Sequence, residues 1–210
     1  MRSATSFVDV SAPVGDDVRR QISRSDNNSL IIRLHFTIHH LSRWLTPIHD
    51  ANRLERAVYR GEPTAKELVI GMRDEEERVF PKMHTIAALT RPDLDKIPAW
   101  QPDPRAAERD RTSPTIVLLA QFRRVRQGTC SLLRSLPDDA WDLKGRTRQG
   151  PNVSIRELAE QLALHDYRYL RALDETLDQV GAREGLAKIQ KAHLDELLKL
   201  VPNRLQLQDA

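Results

Sequence analysis

VSIRELAEQLALHDYRYL, Val153 to Leu170, decides how the rest of the chain is read. Ser154 and Glu157 stand in the S-x-x-E spacing of a capping box. In that motif the serine side chain accepts from the backbone N–H three residues on, and the glutamate reaches back to the serine N–H. Val153 before the cap and Leu158 after it are placed as a hydrophobic staple. Leu158, Leu162, His165, Tyr169 and Leu173 follow at steps of three and four, which puts them on one face of a helix. His165 therefore points where a core residue points. An earlier stretch, TAKELVIGMRDEEERVF from Thr64 to Phe80, repeats the pattern. Thr64 and Glu67 are a second capping box, Leu68 matches Leu158, Met72 matches Leu162, and Arg78 matches Arg168. In this register Glu75 falls where His165 falls.

Working outward, the same periodicity extends along most of the chain. Ile31, Leu34, Ile38, Leu41, Leu45 and Ile48 form the seam of a first helix, with its cap among Asp26 to Ser29. Pro47 should kink that helix or split it, since it removes a donor and crowds the preceding turn. Gly61-Glu62-Pro63 is a short link, so the second helix should run back antiparallel. Leu68, Met72, Glu75, Val79, Met83 and Ile86 mark the second seam, with Glu75 the misfit and Pro81 a second expected kink. Residues 90 to 113 hold four prolines and no glycine, and read as a long stiff crossover pinned by Leu94, Ile97 and Trp100. Ser113-Pro114 predicts the start of a third helix, cap then proline, with Leu118, Phe122, Val125, Thr129, Leu132 and Leu136 inside. The fourth helix closes at Gly181. Residues 182 to 201 read as one more amphipathic helix, with His193 on its partly apolar side.

The expectation is an all-α fold: a four-helix bundle with a long crossover between helices 2 and 3 and an extra C-terminal helix. No strand is expected. Residues 1 to 28 lack a sustained apolar period and read as a disordered or loosely attached tail. The bundle is assigned to residues 29 to 180, and residues 181 to 210 form a helical extension. At 210 residues the chain suits one sizeable core.

Composition narrows the function classes. Thirty-three basic residues face 30 acidic ones, and the charges are interspersed, so the basic stripe of a nucleic-acid binder is absent. No apolar run approaches the ~20 residues of a membrane span. Cys130 is alone, which excludes an internal disulfide and fits a reducing cytoplasm. The N-terminus shows no signal-peptide core, and a cytoplasmic location is expected.

The stretches TAKELVIGMRDEEERVF, RPDLDKIPAW, LAQFRRVRQGTCSLLRSLPDDAWDLKGR and VSIRELAEQLALHDYRYLRAL together resemble the DinB-like (DinB/YfiT) superfamily of bacterial four-helix bundles. The likeness spans about residues 29 to 180. It implies a bundle that often holds a divalent metal, such as zinc or nickel, on three histidines, one from the second helix and two from the fourth as H-x-x-x-H. Members with the full set are proposed hydrolases or transferases acting with low-molecular-weight thiols. Here the second-helix position is Gly71, because Glu67 and Asp74 fix the register. The fourth helix offers His165, but its partner four residues on is Tyr169. Residues four apart lie about 40° apart around a helix, near enough for two imidazoles to share a metal. A phenol, with a pKa of about 10, is a poor ligand near neutral pH.

Two functions from different classes follow. The first is a DinB-like protein with a degenerate metal site and a non-catalytic binding or scaffold role, with no cofactor, as a homodimer or around a small-molecule ligand. The second is a metal-dependent hydrolase or thiol transferase with a rearranged site around Glu75 and His165. A first-helix histidine, His35, His39 or His40, would complete that site. In the first reading His165 is a core histidine hydrogen-bonded to Glu75, with Tyr169 beside them. Of the acidic run Asp74 to Glu77, at least two residues should be solvated. Cys130 reads as a buried inert thiol, His49 and His84 as surface residues, and Trp44, Trp100 and Trp141 as packing anchors.

Overall fold

A computed structural model describes residues 10–101, 103–148 and 150–186. Its frame is four long helices: α2 (Asn27–Leu45), α4 (Ala65–Ala88), α6 (Thr115–Ser135) and α7 (Ile155–Gln179). Both capping boxes form. Thr64 and Ser154 each accept from the backbone N–H of Glu67 and Glu157, and each glutamate returns the bond. Asp26 caps α2, accepting from Ser29 N–H at 2.7 Å. Pro47 does not kink the first helix but ends it. α2 stops at Leu45, and only the single turn α3 (Ala51–Leu54) follows. Pro81 is carried inside α4.

α4 packs on α6 and α7, and α2 packs on the same two helices. Successive helices α2 and α4 therefore lie across the bundle from each other, as do α6 and α7. The link at 61–63 predicts only a chain reversal; the connection between α2 and α4 runs from residue 46 to 64 and gives the reach to cross the bundle. The core is filled from all four helices, with Trp44, Phe122, Leu34, Leu41, Leu68, Met72 and Leu162 fully buried. Each such side chain contributes on the order of 1.5–3 kcal/mol.

Four expectations need correction. Residues 1 to 28 are not all tail: α1 (Asp16–Arg24) buries Val18 and Ile22, and Ile22 has no exposed surface. Arg156 of α7 holds the α1–α2 link, donating to Ser23 O, Ser25 O and Asn27 Oδ1. The stiff crossover also carries a helix that was not expected. Asp103 caps a helix, α5 (Pro104–Thr112), using the same cap-then-proline signal that was read only at Ser113–Pro114. At that second place Ser113 caps nothing ahead of it. Its hydroxyl donates back to Arg109 O at 2.7 Å, closing α5, and α6 begins at Thr115 without a side-chain cap. Two short strands do form, β1 (Lys144–Gly145) antiparallel to β2 (Val153–Ser154). They anchor the crossover, since Leu94 N–H donates to Arg146 O at 2.9 Å and Arg146 N–H to Pro92 O at 2.7 Å.

The third seam is rotated from its expected place. Thr129 and Phe122 are buried as expected, but Val125 and Leu132 are only half-buried, while Arg126, Cys130 and Leu133 lie inside. The expected helix at 182–201 and His193 lie outside the described residues, apart from the turn through Leu186.

Candidate functional site

Gly71 on α4 and His165 and Tyr169 on α7 come together in the bundle. The rings of His165 and Tyr169 stack at 4.0 Å with 23° between their planes. This follows from their i, i+4 spacing on one helical face. The Tyr169 ring then reaches across to α4. A Cβ built on Gly71 would stand 2.5 Å from Tyr169 Cε1, 3.1 Å from Cζ and 3.0 Å from the hydroxyl. The missing side chain on α4 and the large one on α7 are thus two halves of one packing arrangement.

His165 is buried, and its Nδ1 has no hydrogen-bond partner among the described residues. Burial pushes its pKa down to about 4, against the attraction of Asp166 and Glu75. The ring is neutral at physiological pH. The expected His165–Glu75 hydrogen bond is not made, because Glu75 is already engaged. Gln161 Nε2 donates to Glu75 Oε1 at 2.9 Å, and Arg78 pairs with Oε2. Burial also raises the Tyr169 phenol, and Glu75 adds to the effect. Tyr169 therefore stays protonated.

The first-helix histidines do not join this group. His40 is buried against Trp44, ring edge to face at 5.8 Å. His35 and His39 pair with each other, Nε2 to Nε2 at 3.4 Å. Among the described residues no group of three or more His, Cys, Asp or Glu is placed to hold a metal. His84 lies beside Phe80 with rings 6.1 Å apart and is exposed, as is His49. Cys130 is buried, and burial pushes its thiol up to about 11, so it is no nucleophile.

The sequence reading missed the polar centre of the bundle. Arg126 has no exposed surface. Its Nη1 and Nη2 grip Asp166 at 2.5 and 2.9 Å, and its Nε donates to Glu76 at 2.8 Å. Nη1 also donates to Leu34 O at 2.9 Å, and Thr37 Oγ1 to Asp166 at 2.8 Å. One cluster so ties α2, α4, α6 and α7. Burial alone would lower the Arg126 pKa, but Asp166 and Glu76 hold it above its ordinary value. In the acidic run only Glu77 is exposed. Asp74 is half-buried against Arg73, and Glu75 and Glu76 are inside. The signal in the sequence was Asp166 beside His165, with Glu76 in the matching place beside Glu75. Two adjacent acidic positions in the same register as a seam ask for a buried cation.

A separate hollow of about 450 Å³ opens between α4 and α5. Ile70 and Trp100 supply its apolar wall. Arg73 lies along it, bonded to Asp110 at 2.9 and 2.6 Å and to Gln121 at 2.9 Å. Lys66 donates to Glu55 and to Arg111 O at its edge.

Comparison with known proteins places the architecture. YfiT from Bacillus subtilis, described as a probable metal-dependent hydrolase with an unusual four-helix bundle topology, superposes with a TM-score of 0.61 over 80% of this chain and 91% of its own. The chain has the YfiT-like, DinB-like fold. Sequence identity is 13%, so the likeness speaks for fold alone. No family model matches the sequence, and no curated protein matches it. Among the described residues no helix is long and apolar enough to cross a membrane.

The metal that the fold family implies can be tested against the side chains present. Gly71 offers no donor, and the space its side chain would need is filled by a protonated Tyr169. His165 remains as one nitrogen ligand, stacked against that same ring. These residues do not fit a three-histidine metal centre.

Proposed function

We propose that this chain is a DinB-like bundle protein whose metal site has become an aromatic plug, and that it acts by binding rather than by catalysis. The observation that carries this reading is the Tyr169 ring lying where a Gly71 side chain would stand. Filling that gap exchanges three ligands for one stacked pair and a packed helix contact. The buried polar centre around Arg126 supports the same view. It is fully enclosed, so it holds the helices rather than meeting a substrate. The hollow beside Trp100 and Arg73 is of a size suited to a small-molecule ligand.

The test is metal analysis of tag-free protein, paired with His165→Ala. The proposal expects no tightly bound metal that depends on His165. Tight stoichiometric metal lost in His165→Ala would favour the other reading, a hydrolase or thiol transferase with a rearranged site around Glu75 and His165.

A further inference from the structure

We propose that His35 and His39 form a second, independent site: a two-histidine chelate for an exchangeable divalent transition metal, of the zinc, nickel or copper class. The two residues stand four apart on α2, so their rings rise from one face of the helix. Their Nε2 atoms face each other at 3.4 Å, with ring centroids 5.1 Å apart and planes 72° across. The rings meet through nitrogen rather than by stacking. At 3.4 Å the contact is long for an N–H···N hydrogen bond. It is the separation a metal needs. With metal–nitrogen bonds of about 2.1 Å, that spacing gives an N–metal–N angle of about 108°, close to tetrahedral.

The presentation is also one-sided. Nδ1 of His35 is buried against the bundle and has no hydrogen-bond partner among the described residues, which leaves Nε2 as the outward nitrogen. His39 is exposed, so the remaining coordination positions open to solvent. The charges that act on His35 are Arg123 and Arg134 from α6, whereas those on Tyr169 are Glu75, Arg168, Asp74 and Arg78. Burial, His39 and the two arginines all hold the His35 pKa below its ordinary value. The same arginines repel a bare cation and favour an anionic or water ligand in the open positions. With only two protein ligands and no acceptor holding Nδ1, binding is reversible and moderate rather than structural.

The experiment is calorimetric titration of zinc into the tag-free full chain at pH 7.5, repeated with nickel. Variants are His39→Ala, His35→Gln, His84→Ala and His165→Gln. The expected result is one binding event per chain that weakens by about a hundredfold in His39→Ala and in His35→Gln, as loss of a chelate partner implies. His84→Ala and His165→Gln should leave it unchanged. His39 is exposed, so His39→Ala keeps the test valid should His35→Gln fail to fold. No binding by the native chain, or binding indifferent to His39→Ala, overturns the proposal. Binding lost only in His165→Gln would overturn it too, and would also count against the aromatic plug.

Discussion

Replacing Gly71 with alanine should destabilise the protein, and should do so only while Tyr169 is present. Glycine in a helix interior is about 1 kcal/mol worse than alanine, so on propensity alone Gly71→Ala is a gain. The structure reverses the sign. The new methyl would sit 2.5 Å from Tyr169 Cε1, well inside contact distance, with Cζ and the hydroxyl at 3.1 and 3.0 Å. Either the ring is pushed off His165, losing its 4.0 Å stack, or α4 and α7 part. Overpacking of this kind costs about 1–3 kcal/mol. The net loss in the native background is therefore roughly 1 kcal/mol, since overpacking outweighs the propensity gain. In a Tyr169→Ala background the space is empty, and Gly71→Ala should stabilise by up to ~1 kcal/mol. Urea unfolding of the four proteins closes a double-mutant cycle with a coupling of about 2 kcal/mol. Equal stabilisation in both backgrounds would show that Tyr169 does not lie over Gly71, and the plug would be wrong.

Other consequences are open to the same methods. Arg126→Met leaves Glu76 and Asp166 buried without their cation and should cost about 3–5 kcal/mol by urea unfolding; a loss under 1 kcal/mol would mean the cluster is not enclosed as described. Ile22→Ala should cost about 2–5 kcal/mol, because α1 is part of the core, and a neutral result would return residues 16–24 to the status of a tail. His165 has a folded pKa depressed to about 4, below its unfolded value of 6.5, so its neutral form stabilises the fold fully above pH 6.5. That contribution should fall as pH drops from 6.5 towards 4, by at most about 3 kcal/mol, and the difference between native protein and His165→Gln isolates it from the carboxylates. A difference that is flat across this window would mean that His165 is not buried neutral.

Much of the fold was legible because its signals are local. The two capping boxes at Thr64 and Ser154, the apolar seams and the proline-rich crossover all depend on residues within a turn or two. The diagonal placement of α2 and α4 was not, since it depends on how far a connection travels and not on its sequence. α1 escaped because Val14, Val18 and Ile22 are too few to make a period, yet each is buried once α7 is beside them. At the candidate site, Gly71, His165 and Tyr169 were legible from register and family pattern. Their reciprocity was not: nothing local says that a glycine on one helix makes room for a tyrosine on another. Arg126 was hidden for a different reason. A charged residue beside an apolar seam reads as surface until two acids on other helices are seen to enclose it.

The most direct measurement restores the ligands. Gly71→His together with Tyr169→His removes the plug and places three imidazoles at positions 71, 165 and 169. His39→Ala is added to this protein and to its unrestored control, so that the α2 pair contributes nothing. Melting temperature is read with and without nickel or zinc. A metal that binds only the folded state stabilises it by about 2.7 kcal/mol at a hundredfold excess over its Kd. For a domain of this size that is a rise of roughly 5–10 °C. The account predicts this rise in the restored protein and little change in the control. A control that is itself strongly stabilised, or a restored protein that gains nothing, would contradict it.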